Sequence, residues 1–259
     1  MIGKDFIGQV VGAIIEAGRR LTGSLTTILA AWLLYVLLLG LIFLFLTTRE
    51  SSVWHVALGL VVWPLLAVLV FLIAQAFGLV AIRAGIDTGY KLKRALFDCS
   101  KLAVVTLPLL VLALVTLQGL HALERMVELN YRHVDWLLRG RNALEWVRMG
   151  TLWVAFPLLA VHWWIIALRD GAWRALRSAG RVFGQAFNPG SILIYLLTAG
   201  LYGGLAWLLF RTRPTIEREW LELWLFGARM VTGLLVIFMG WLLTLGSLAV
   251  WTANRELGE

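Results

Sequence analysis

The stretch that most limits what this chain can become is residues 25–46, which hold no charged side chain. Crossing the ~30 Å hydrocarbon core of a bilayer takes about 20 apolar residues in a helix. Within that core the backbone must satisfy its own hydrogen bonds, so an uninterrupted, non-alternating run of this length folds as a helix and spans. Five further apolar runs follow, at about 53–82, 102–120, 147–168, 191–210 and 224–251. The 259-residue sequence is 61% hydrophobic and only 15% charged, against roughly a quarter charged in soluble domains. Together these observations predict an all-α, polytopic membrane protein: six transmembrane helices in a single membrane domain, 1–259. The first run lacks a convincing cleavage site and reads as a signal anchor that stays.

The connections are as informative as the runs. In 168–183, Arg174, Arg177 and Arg181 share one helical face, and Ala172, Leu176, Ala179 and Phe183 another. In 87–103, Lys91, Arg94 and Lys101 lie together, with Leu92, Leu96, Cys99 and Ala103 on a second face. In 6–21, Phe6, Val10, Ala13, Ala17 and Leu21 form the apolar stripe, with Glu16, Arg19 and Arg20 outside it. Amphipathic helices of this kind lie in the headgroup plane, apolar face down and cations toward phosphate. Lys91, Arg94, Lys101, Arg174, Arg177 and Arg181 are therefore the lipid-headgroup candidates. The plainer alternative is that these cations only set topology.

Each in-plane segment precedes a hairpin, so the chain reads as three repeats, 1–82, 83–168 and 169–259. Residues 62–68 (VWPLLAV) are similar to residues 155–161 (AFPLLAV). Short apolar runs also match by chance, and the sequence leaves both explanations open. Pro64 is the expected kink point of the second run. Gly200, Gly203 and Gly204 give the fifth run a small-residue face for close helix contact. In the polar region 121–148, Leu123, Val127, Tyr131, Val134 and Leu138 predict a surface helix. Gly140 is its expected stop, and Asn142 is expected to cap a new helix.

The termini and the two basic connections hold more than half of the 23 Lys and Arg residues. By the positive-inside rule both termini lie in the cytoplasm of a bacterial inner membrane, and 121–148 lies outside. Trp54, Trp146, Trp173, Trp220, Trp224 and Trp251 sit near run ends, as an interfacial belt would.

The chemistry is sparse. Runs one, three and five hold no Asp, Glu, Lys, Arg or His between their ends, where an ion-coupled transporter usually places one. His162 is the one ionisable residue well inside a span. Haem ligation there lacks a second axial ligand at matching depth, so an interfacial or interhelical hydrogen bond is the simpler role. Gln75 and Gln118 read as helix–helix polar contacts. His55, His121 and His133 have no metal-ligand spacing. The i, i+4 pairs Glu124/Glu128 and His121/Arg125 read as solvated helix charges. A single cysteine, Cys99, excludes an intrachain disulfide and multi-cysteine metal sites. The net charge of +8 sits at the ends of apolar runs, which points to lipid and away from nucleic acid.

The six-span plan, with basic segments leading into the odd spans, resembles a loose group of bacterial membrane proteins. Among them is the membrane domain attached to some glycerophosphodiester phosphodiesterases, and residues 170–183 carry the likeness. The resemblance implies a membrane domain without that enzyme's catalytic part. The expected function is a non-catalytic accessory or scaffold subunit that organises lipids, without a cofactor. Its expected partners are membrane phospholipids and a membrane protein or further copies of itself. The rival is a transporter or lipid-moving protein with an apolar pathway.

Overall fold

The computed structural model describes residues 4–48, 52–82, 88–130, 136–212 and 219–258. Every regular element among them is helical. In chain order these are α1 (Lys4–Thr22), α2 (Leu25–Thr47), α3 (Val53–Ala57), α4 (Trp63–Ala81), α5 (Thr88–Asn130), α6 (Trp136–Gly150), α7 (Phe156–Asp170), α8 (Ala172–Arg177), α9 (Ala179–Ala186), α10 (Pro189–Arg211) and α11 (Glu219–Gly258). Among the described residues six stretches are long and apolar enough to cross a membrane: Leu25–Thr47, Val53–Ala81, Lys91–Val127, Ala143–Asp170, Pro189–Arg211 and Trp220–Arg255. The chain is an all-α, multi-pass membrane protein.

Two prolines are accommodated in the same way. A π-turn, Leu58–Val62, leads into α4 with Pro64, and a second, Thr151–Ala155, leads into α7 with Pro157. A proline removes one ladder donor and crowds the carbonyl four residues back, and a widened turn relieves both. Pro108 sits inside the continuous helix α5 without such a turn, so a proline alone does not impose the geometry that these two segments share.

The polar connections depart from expectation. The helix from Thr88 to Asn130 is continuous, so the second basic segment is the beginning of span three and not a separate in-plane helix. Its 43 residues extend about 65 Å at 1.5 Å each. Nothing between Lys91 and Lys101 breaks a helix. Likewise α6 runs across Gly140 and Asn142 without stop or new cap, because one interior glycine costs only about 1 kcal/mol. Tyr131 and Val134 of the predicted stripe lie outside the described residues.

The chain divides into two compact units, Met1–Cys99 with Pro189–Glu259, and Ser100–Asn188. In the first unit the core sits at one end of the spans. It comprises the second half of α4, buried at every position from 72 to 81, the beginning of α10 and the end of α11. Helix α1 packs on α11 there. It buries Val10, Ala13, Ala17 and Leu21 as the spacing predicts, and turns Ile7, Val11 and Ile15 outward. Ser24 caps α2 by accepting from the Thr27 amide. Helices α10 and α11 approach closely, with Gly240 against Tyr202 and Gly233 against Phe210. The glycines expected to do this, Gly200, Gly203 and Gly204, meet nothing within 4 Å of a would-be Cβ. Trp54, Trp146, Trp173, Trp220 and Trp224 are exposed, but Trp251 is buried, packed on Gly190.

The second unit is organised on α7, buried from 158 to 168 except at Ile165. Indole N–H groups tie it down. Trp163 donates to the Ala175 carbonyl on α8 (3.1 Å), and Trp164 to the Thr106 hydroxyl on α5 (2.9 Å). Between α7 and α8 the chain turns at Gly171, with φ 92° and ψ 152°. Only glycine holds that conformation without strain. Gly171→Ala is expected to lower stability by about 1–2 kcal/mol, read as a lower unfolding midpoint in detergent. An unchanged midpoint would show that the turn relaxes.

Candidate functional site

The six predicted headgroup cations are not presented alike. On α5 the buried positions are Lys91, Ala95, Asp98, Leu102, Val105 and Leu109, a four-three alternation that marks a single face. Lys91 is only 6% exposed, and its ammonium donates to the Thr27 hydroxyl at 3.4 Å. Arg94 reaches the Asp98 carboxylate, itself 2% exposed, at 3.5 Å. Lys101 is half-buried. The apolar stripe of this segment faces away from the rest of the chain: Leu92 and Leu96 are exposed, as is Phe97. Against hydrocarbon this is the cheaper arrangement, because apolar side chains lose nothing there while charges need partners.

The third basic segment keeps its cations outside. Arg174 and Arg177 on α8 and Arg181 on α9 are all exposed. The Arg177 guanidinium lies 5.8 Å from the Trp173 ring centroid, a cation–π distance. The helix breaks at Ser178, so the three arginines are divided between two short helices. The buried stripe is Ala175, Val182 and Ala186. It lies between the arginines and the predicted Leu176/Phe183 face, and Phe183 is exposed. Small residues pack inward and bulky ones point out. At the head of the segment, Arg169 and Asp170 form a two-point ion pair at 2.8 and 2.9 Å.

Inside the spans, His162 is fully buried, and its Nδ1 donates to the Leu158 carbonyl at 2.9 Å. That bond is within α7, one turn back, so it is not interhelical. Among the described residues no three His, Cys, Asp or Glu side chains converge as a metal site. Glu124 receives Arg148 at 3.0 and 3.1 Å, which ties α5 to α6, with His121 at 3.6 Å. His133 and the Glu128 side chain lie outside the described residues.

The helix–helix polar contact read for Gln75 is present in the first unit, with partners that the sequence did not reveal. Gln75, fully buried on α4, accepts from the Trp241 indole N–H at 2.7 Å and donates to the Tyr35 hydroxyl at 3.1 Å. An indole only donates, which fixes the amide's orientation. The three residues pin α2, α4 and α11 together, with the Tyr35 and Phe238 rings 4.5 Å apart. Beside them opens a cavity of about 480 Å³ whose walls include Trp32, Tyr35, Phe71, Leu234, Phe238 and Trp241. Spacing places Trp32, Tyr35, Val36 and Leu39 on one face of α2. It does not reveal that the facing side chains leave a gap.

Comparison of the chain with protein-family models, with curated proteins and with solved structures returns no match.

Proposed function

We propose that this protein is a non-catalytic integral membrane protein that works by holding lipid, as an accessory or scaffold subunit of a bacterial inner membrane, with both termini cytoplasmic. The observation that carries the reading is the exposed set Arg174, Arg177 and Arg181 with Trp173, on short helices directly after a span. Cations and an amphipathic ring at that level match lipid phosphate and the interface. Two cations on α5 and α6 are paired with carboxylates, Arg94 with Asp98 and Arg148 with Glu124.

The test is native mass spectrometry after gentle extraction, comparing the wild type with the triple variant Arg174→Gln/Arg177→Gln/Arg181→Gln. Retention of anionic over zwitterionic phospholipid is expected to fall about tenfold or more, from ~1 kcal/mol per surface cation. An unchanged ratio, with no protein partner retained, would refute the reading. The cavity in the first unit favours a second reading, a lipid-moving protein with an apolar pathway. Exchange of labelled lipid between leaflets of reconstituted vesicles, above the rate in protein-free vesicles, would select it.

A further inference from the structure

We propose that the cavity of the first unit seats a single acyl chain of a membrane lipid. The proposal rests on the lipid-holding reading and names a site for it. Depth is the first argument. Tyr35 and Val36 stand at the middle of span Leu25–Thr47, and 231–241 brackets the middle of span Trp220–Arg255. At that depth the abundant small molecule is lipid hydrocarbon. The second argument is chemical. Of the three wall residues that carry a polar group, Trp32, Tyr35 and Trp241, the last two are joined through Gln75. The amide engages the hydroxyl and the indole N–H, and the rest of the wall is aliphatic or aromatic. Water needs polar partners to enter such a space, and an apolar cavity stays dry. A headgroup has nothing to bind there. The third argument is size: about 480 Å³ falls within the ~300–1,000 Å³ of ligand sites, and Trp32, Phe71 and Phe238 supply aromatic walls.

The experiment uses the full chain in phosphatidylcholine–phosphatidylglycerol vesicles doped with a phosphatidylcholine that bears a diazirine midway along one acyl chain. After illumination, label is expected to concentrate on 32–39 and 231–241, above the exposed Leu107 and Leu114 of α5. Val36→Trp and Val231→Trp fill the space from two different helices. Each is expected to cut that label about tenfold, the change that ~1.4 kcal/mol produces. Even label over cavity and α5 leucines overturns the proposal. So does undiminished label in both variants when each elutes like the wild type, or cross-linking of these peptides to a second copy of the chain. The two readings fail separately. A wild type that retains lipid on purification but leaves the cavity unlabelled overturns this proposal alone. One that retains no lipid overturns both.

Discussion

Replacing Gly240 by alanine is expected to lower the unfolding stability by about 3 kcal/mol, the upper end of the usual cost of overpacking. A methyl group there runs into the Cβ of Tyr202. That atom is fixed to the α10 backbone and cannot rotate away, so relief requires the two helices to part. Parting them also strains the Thr198–Thr244 hydroxyl contact, 2.8 Å long, one turn further on. At Gly233 the obstacle is the ring edge of Phe210, which can turn about its side-chain bonds. Gly233→Ala should therefore cost less than Gly240→Ala. Gly200→Ala and Gly203→Ala meet open space, and helix propensity favours alanine by ~0.8–1 kcal/mol, so they should be neutral or stabilising. Unfolding midpoints in detergent rank the four. Equal damage from Gly200→Ala and Gly240→Ala would defeat the packing account.

That ranking shows where sequence reasoning stops in a membrane protein. Six spans were legible because charge is excluded from hydrocarbon, and that signal is one-dimensional. The run 25–46 became Leu25–Thr47, and 53–82 became Val53–Ala81. The face of α1 was legible too, since Glu16 and Arg20, paired at 2.7 Å, border its buried stripe and stay outside it. Inside the spans the contrast vanishes. Lipid-facing and protein-facing surfaces are both apolar, so Leu92 and Leu96 could be read in either direction, and the structure turns them out. Glycine tells where helices can approach and not where they do. Gly200, Gly203 and Gly204 have the denser pattern, yet Gly233 and Gly240 make the contact. Of the candidate cations, Arg174, Arg177 and Arg181 are exposed. Lys91 is buried, because its face also carries Ala95 and Leu102, which pack inward. The cavity had no sequence signal, because it depends on what facing side chains fail to fill.

Gln75→Leu is expected to cost about 2–4 kcal/mol, more than the two hydrogen bonds it removes. Bonds between membrane helices average ~0.6 kcal/mol, so their direct loss accounts for ~1 kcal/mol. The remainder comes from the groups left behind. The Tyr35 hydroxyl and the Trp241 indole N–H lose the amide that joins them at mid-membrane depth, and each unpaired buried group costs ~1–3 kcal/mol. This makes a distinctive prediction. The double variant Gln75→Leu/Tyr35→Phe removes one stranded group, so it should be more stable than Gln75→Leu alone by about 1 kcal/mol. If the cost came from leucine's shape, the second substitution would add its own loss. Detergent unfolding of the two single variants and the double closes the cycle, and simple additivity would sink the argument. The same substitution bears on the cavity. Stranded polar atoms in its wall give water a foothold, so Gln75→Leu should lower acyl-chain labelling although it adds apolar surface. The Tyr35→Phe partner should recover part of it, because the wall then presents one polar group fewer.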